Sequence, residues 1–276
     1  MTVRQIIQTI EQSVLALYDP REATAIAREV VCRRCGYTFS SLVLHYDDSC
    51  QIDDLESVIE QLAAGRPVQY VTGETEFYGL QFKVCEGVLI PRPETEELVA
   101  RVIAECKPNA RVLDVGTGSG AIAVSVAKGV EGAEVVAVDI SDVALSVAAH
   151  NAEKNGVEIA LHKADALGDM SSLGEFDIIV SNPPYIPQSD ILIMHSNVVD
   201  YEPHTALFVA DDDALCFYRS IARNGQKMLR SGGGLYFEIY EHFGEQIAQM
   251  LSQMGYSDIE VVKDIFGKDR MVWSRR

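Results

Sequence analysis

Val112-Leu113-Asp114-Val115-Gly116-Thr117-Gly118-Ser119-Gly120-Ala121-Ile122-Ala123 is the stretch whose reading decides the fold. A short apolar strand runs into three alternating glycines and then into helix-forming residues that continue through Ala127. Strand, glycine-rich turn and helix N-terminus in succession let a ligand approach bare backbone. The next strand candidate, Val135-Val136-Ala137-Val138, ends in Asp139, where an acidic residue can take a ribose hydroxyl pair. The dinucleotide fingerprint spaces its glycines G-x-G-x-x-G, whereas these alternate as G-x-G-x-G. A nicotinamide-dependent oxidoreductase is therefore the weaker reading of the loop.

Outward from this stretch the chain alternates strand and helix patterns. They fall at 111–115, 121–128, 134–138, 142–155, 158–163, 176–181, 212–229, 233–239, 241–254, 257–263 and 270–274. The succession predicts an α/β fold with a mainly parallel sheet covered on both faces. Ligands in such sheets sit beyond the carboxyl ends of the strands. Gly116, Asp139, Asp165 and Asn182 each follow a strand, so they are expected to share one crevice.

The strand Phe176-Asp177-Ile178-Ile179-Val180-Ser181 leads into Asn182-Pro183-Pro184-Tyr185. The prolines fix φ and have no N–H, which leaves backbone carbonyls free to accept hydrogen bonds. Asn182 adds a side-chain carbonyl, and Tyr185 offers a flat apolar face. Together they read as a clamp for a planar, poorly nucleophilic –NH2 group aimed at an electrophile. Glu238, late in the strand Leu235-Tyr236-Phe237, reads equally well as a crevice residue or a structural acid, and His162 as a strand residue. No Ser-His-Asp or metal constellation is expected.

Upstream, residues 1–73 read as a small helical domain without recognisable chemistry. Val3, Ile6, Ile7, Ile10 and Val14 recur at helical spacing, as do Ala23, Ile26, Ala27, Val30 and Val31, and Asp53 to Ala64 makes a third helix. Glu76 to Val84 alternates as a hairpin turning at Gly79. The six cysteines fit reduced thiols, and Cys32 and Cys35 read as incidental helix residues without the second ligand pair a zinc site needs. No run of eighteen apolar residues and no signal-peptide profile is present, so a soluble, cytoplasmic chain is expected. With 23 Lys and Arg against 41 Asp and Glu, the net charge is −18 and no basic run exceeds two residues. A nucleic-acid enzyme needs a basic track for phosphates, so the charge favours a basic macromolecular partner instead.

The alternating glycines after Leu113-Asp114-Val115 resemble the cofactor loop of class I S-adenosylmethionine methyltransferases. The whole chain closely resembles the HemK/PrmC family, protein-(glutamine-N5) methyltransferases of peptide chain release factors. The resemblance rests on Gln69-Tyr70-Val71-Thr72-Gly73 with Glu76-Phe77-Tyr78-Gly79, Ile90-Pro91-Arg92-Pro93-Glu94-Thr95-Glu96 and the glycine loop. Ser181-Asn182-Pro183-Pro184-Tyr185-Ile186-Pro187 and Asp264-Ile265-Phe266-Gly267-Lys268-Asp269-Arg270 complete it. Asn-Pro-Pro-Tyr alone is shared with adenine-N6 methyltransferases; the Pro-Arg-Pro-Glu-Thr-Glu segment is far more specific.

The resemblance implies a class I, Rossmann-like, seven-stranded methyltransferase domain at 91–276, a hairpin linker at 74–90 and a substrate-recognition domain at 1–73. It implies S-adenosyl-L-methionine held by Gly116, Thr117, Gly118, Ser119, Gly120, Asp139, Asp165, Ala166 and Asn182. The substrate would be the glutamine of the release factors' Gly-Gly-Gln loop, bound by Asn182, Pro183, Pro184 and Tyr185. Asn182, Pro183 and Tyr185 are the expected catalytic residues of a monomer that needs no metal, nucleic acid or membrane. Many family members carry an aromatic after the acid at 165; here Ala166-Leu167 follow, so either the adenine is stacked more weakly or Leu167 covers the ring instead. The rival readings are an adenine-N6 nucleic-acid methyltransferase with the same clamp and a non-catalytic adaptor working through its helices.

Overall fold

The computed structural model describes residues 1–276, which separate into two compact units. One comprises Met1–Glu74 with Met194–Tyr201, the other Thr75–Ile193 with Glu202–Arg276. The sequence reading divides the chain at 73 and 90. In the structure the hairpin falls within the second unit, and Met194–Tyr201 joins the first across a long stretch of sequence.

The first unit is helical: α1 (Val3–Val14), α2 (Pro20–Cys35), α3 (Phe39–Leu42), α4 (Leu55–Ala63) and α5 (Val68–Thr72). A capping box between Thr2 and Gln5 starts α1, which buries Val3, Ile6, Ile7, Ile10 and Val14. Asp19 caps α2 ahead of Pro20, and Gly36 ends it in the left-handed conformation that a Cβ would strain. In α4, Val58 and Leu62 are buried, while Leu55 and Ile59 are only partly so. Helices α3 and α5, of four and five residues, are too short to show a repeat in sequence. Met194–Tyr201 supplies a further short helix, Ser196–Tyr201 (α9 in chain order), whose Tyr201 hydroxyl donates to the Ala64 carbonyl at 2.9 Å.

The cysteines correct the expectation of reduced thiols. Cys35, at the end of α2, is joined to Cys50 by a disulfide. The chain leaves α2 at Gly36 and returns beside it, where the Cys50 N–H donates to the Met1 carbonyl. The Cys-x-x-Cys spacing conceals this, because Cys32 points into the core and only Cys35 meets Cys50.

The second unit opens with a hairpin, β1 (Glu74–Phe77, beginning at the boundary residue) and β2 (Leu80–Lys83). Tyr78 and Gly79, both at positive φ, form its two-residue turn. Then come α6 (Pro93–Glu105), β3 (Arg111–Val115), α7 (Ala121–Gly129), β4 (Glu134–Asp139), α8 (Asp142–Asn155), β5 (Ala160–Lys163) and β6 (Phe176–Ser181). After β6 lie β7 (Ile186–Pro187), α10 (His204–Leu207), β8 (Phe208–Val209), α11 (Cys216–Met228) and β9 (Leu229–Glu238). The chain closes with α12 (Gly244–Gln253), β10 (Ser257–Lys263) and β11 (Asp269–Arg275).

The seven-stranded sheet runs β10-β11-β9-β6-β3-β4-β5, with β11 antiparallel to both neighbours and the remaining pairs parallel. Strand alternation sends Val112, Val135, Ala137, Ile178 and Val180 to one core, shared with α6 and α7. Leu113, Val115, Val136, Val138 and Ile179 face the other, shared with α11 and α12. Both faces are therefore buried, as the continuous apolar runs require. From β3 the chain proceeds to β4 and β5 on one side and then returns to β6 on the other. That reversal opens a crevice beyond the carboxyl ends of β3 and β6. No helix is long and apolar enough to cross a membrane.

Candidate active site

The loop after β3 is drawn taut by the strand's own acid. Asp114 is fully buried, and its Oδ2 accepts from Thr117 Oγ1 at 2.7 Å and from the Ala123 N–H at 3.2 Å. One side chain thus spans strand, turn and helix start. Its Oδ1 is buried without a partner, and burial pushes the carboxyl up to about 7 against the pull of those hydrogen bonds.

Gly116 and Gly118 have φ of +77° and +55°, and a Cβ on either would meet nothing within 4 Å, so both border open space. Gly120 differs. A Cβ there would lie 3.0 Å from the Ala148 Cβ, so this glycine serves the close packing of the loop on α8. Asn151 of α8 braces the same loop, donating from Nδ2 to the Ser119 carbonyl at 2.8 Å.

Asp139 closes β4 with both oxygens engaged: Oδ2 accepts from the Gly118 N–H and Oδ1 from the Ser141 N–H, each at 2.9 Å. Each oxygen retains a further lone pair for a hydroxyl donor. The Asp165 carboxylate turns back to accept from the Leu167 N–H at 2.8 Å. The Ala166 carbonyl accepts from Ser220 Oγ of α11 at 2.8 Å, and Phe217, one turn earlier on that helix, joins the cavity wall. An aromatic therefore reaches this wall from α11 rather than from the position after Asp165.

These groups surround a cavity of about 420 Å³, within the range that holds a small cofactor. Gly116, Thr117, Gly118, Ser119, Asp139, Asp165, Ala166, Leu167, Asn182, Pro183 and Pro184 all contribute to its wall; Gly120 and Tyr185 do not. Open glycines, an acid at the end of the second strand and a partly apolar far wall fit a nucleoside carrying an amino-acid tail.

At the cavity wall, which Thr95 shares with Asn182, Asn182 donates from Nδ2 to Thr95 Oγ1 at 3.3 Å, and Thr95 Oγ1 donates to Glu238 Oε2 at 2.5 Å. The Tyr185 hydroxyl donates to Glu238 Oε1 at 3.1 Å. The Tyr185 ring, half-buried, stacks at 6.1 Å on Tyr240, whose hydroxyl donates to Asp190 at 2.7 Å. Burial raises the Glu238 carboxyl, opposed by the bonds from Thr95 and Tyr185 and by the charge of Arg270. Tyr185 is pushed up by burial and by the neighbouring Glu238 charge. Nothing in the sequence decides between a crevice and a structural role for Glu238, or assigns a role to Thr95. The available signal was the specific Pro-Arg-Pro-Glu-Thr-Glu segment, in which Thr95 sits. Arg92 of the same segment pairs at 2.5 Å with the buried Glu202, which also accepts from the Ile90 N–H.

Two family models match: the PrmC N-terminal domain over residues 8–73 and the methyltransferase small domain over residues 94–199. A release factor glutamine methyltransferase of Bacteroides thetaiotaomicron is 41% identical over 278 residues, covering 99% of this chain and 100% of that protein. This chain belongs to the release factor glutamine methyltransferase family. Another member, from Flavobacterium psychrophilum, is 40% identical over 99% of this chain and 98% of its own length. A methyltransferase structure from Pyrococcus furiosus shares the fold at a TM-score of 0.54 and 18% identity, covering 81% of this chain and 98% of that one. The protein is accordingly a methyltransferase whose cofactor is S-adenosyl-L-methionine.

Proposed function

We propose that this chain transfers a methyl group from S-adenosyl-L-methionine to the side-chain amide nitrogen (N5) of the glutamine in the Gly-Gly-Gln motif of peptide chain release factors. The observation that carries this reading is the state of the clamp beside the cofactor cavity. Asn182 lines the cavity with its Nδ2 committed to Thr95, and Oδ1 engages in no hydrogen bond of the chain. Pro183 contributes a carbonyl without a competing N–H.

In this reading Gly116, Thr117, Gly118 and Ser119 hold the amino-acid end of the cofactor, Asp139 its ribose hydroxyls, and Asp165 with Ala166 its base. When bound, the cofactor supplies an electrophilic sulfonium methyl. Asn182 Oδ1 and the Pro183 carbonyl accept the two N–H bonds of the glutamine amide, which turns its nitrogen toward the methyl. Both acceptors also stabilise the positive charge that develops on that nitrogen during attack. Pro184 and Tyr185 wall the amide. Amide resonance makes the nitrogen a poor nucleophile, yet no residue has to remove its proton before attack. The N–CH3 bond would form as the sulfonium S–CH3 bond breaks, and the nitrogen would then lose one proton to water as the products leave. The enzyme works by positioning and by excluding water.

Residues 1–73 recognise the release factor, and the chain acts as a monomer in the cytoplasm. A net charge of −18 suits a basic protein partner, and the same charge disfavours the adenine-N6 alternative, which shares the clamp but needs a basic track. Mass spectrometry of release factors from cells with and without this protein tests the proposal. It expects one additional methyl group on the Gly-Gly-Gln peptide only when the protein is present; identical spectra would overturn it.

A further inference from the structure

Glu238 accepts one hydroxyl on each oxygen, from Thr95 on Oε2 and from Tyr185 on Oε1. Thr95 therefore spends its single proton on Glu238 and has only a lone pair to offer Asn182. A lone pair selects the –NH2 end of an amide, so Asn182 presents nitrogen to Thr95 and leaves Oδ1 as the acceptor. The opposite orientation would set a carbonyl oxygen against the Thr95 lone pairs and offer donors where the clamp needs an acceptor. Three elements meet to produce this order: α6 supplies Thr95, β9 supplies Glu238, and the turn after β6 supplies Asn182 and Tyr185. Both groups are buried, Thr95 at 4% and Glu238 at 1% exposure, which limits competition from water for these donors. Arg270, paired with Asp264 at 3.2 Å, adds positive charge on the same side.

We infer that Thr95 and Glu238 are positioning residues for methyl transfer: they fix the polarity of the Asn182 amide so that Oδ1, and not Nδ2, meets the substrate amide. The inference rests on the proposed glutamine substrate. Neither residue touches the reacting atoms. Thr95 acts through Asn182, while Glu238 acts through Thr95 and also holds Tyr185.

The test is a double-mutant cycle with release factor as substrate. Thr95→Val keeps the shape of the side chain and removes the relay. It is expected to lower kcat about tenfold, the weight of one hydrogen bond, with the KM for S-adenosyl-L-methionine within about twofold of wild type. Thr95→Ser restores the hydroxyl and should restore most of kcat, which separates loss of the relay from loss of folding. In an Asn182→Ala background, Thr95→Val should lower kcat no further, because the group it orients is gone. A Thr95→Val enzyme with wild-type kcat, a Thr95→Ser enzyme as slow as Thr95→Val, or full additivity with Asn182→Ala would overturn the relay. Wild-type enzyme that leaves release factor unmethylated would instead overturn the substrate reading on which the relay depends.

Discussion

Asp114 and Glu238 are two buried carboxylates with the same task and opposite sequence logic. Each accepts from a threonine hydroxyl and holds half of the site: Asp114 the glycine loop through Thr117, Glu238 the clamp through Thr95. The first pair lies 3 residues apart in the chain, the second 143. The loop is a local device, built by one strand, its turn and the start of one helix. The clamp exists only once α6, β6 and β9 have packed. A local device acts through backbone that a nearby side chain pins, whereas a distant one acts through side-chain polarity that several elements must agree on. Damage to the loop should therefore appear in cofactor binding, and damage to the clamp in turnover.

The strongest way to break that division is Asn182→Ala. It removes the acceptor proposed for the substrate amide and leaves the loop and Asp139 in place. Methyl transfer should fall roughly 10²–10³-fold, the scale of one preorganised transition-state hydrogen bond, while calorimetry should find cofactor affinity only modestly reduced. A near wild-type rate would mean that the amide is held by something other than Asn182.

Asp139→Ala is the converse on the loop side. It removes the acceptor proposed for the ribose and also releases the Gly118 and Ser141 N–H groups. Cofactor binding should weaken by about 1.5–3 kcal/mol, as for a hydrogen bond to a charged group. An unchanged dissociation constant would take Asp139 out of the cofactor site.

The loop's own carboxylate gives a smaller effect, visible in stability. Asp114 titrates near 7 when folded and near the ordinary carboxylate value when unfolded, so the folded state binds the proton more tightly. That contribution is fully present below the unfolded pKa and is lost as pH rises through about 7. Between about pH 5.5 and 7, wild type should lose about 1.5 kcal/mol relative to Asp114→Asn, which cannot ionise. Parallel stability curves for the two proteins across that window would refute the assignment.

Legibility in the sequence followed the same division. The strand–glycine–helix succession announced β3, the loop and α7 because every residue that shapes them is adjacent, and Asp139 was placed by the end of the next strand. The parallel sheet was legible from the apolar runs buried on both faces, and α1 and α2 from their apolar spacing and caps. In sequence Gly120 reads like its neighbours in the loop, because only the fold brings Ala148 against it. The Thr95–Glu238 contact left no local trace, since neither residue breaks a helical or strand pattern. The Cys35–Cys50 disulfide was hidden for a related reason: the chain between them folds back through a four-residue helix too short to read.

Phe217 can sharpen the comparison, because it lines the cavity proposed for the cofactor yet arrives from far along the chain. No aromatic follows Asp165, so the sequence leaves open whether the adenine is weakly stacked or covered by Leu167. In the structure Leu167 is 51% exposed, whereas Phe217 lines the cavity from α11, the helix tied to Ala166 through Ser220. If the aromatic supplies the apolar face for the base, Phe217→Ala should weaken cofactor binding by about 0.5–1.5 kcal/mol, the worth of one aromatic contact. Leu167→Ala should change it less, and kcat at saturating cofactor should stay near wild type in both. Calorimetry on the two variants decides between the walls. A larger loss at Leu167 would return the base to the local loop, and the cofactor side would then be local throughout. A larger loss at Phe217 would show that even the more legible half of the site depends on one contact that only the packed fold supplies.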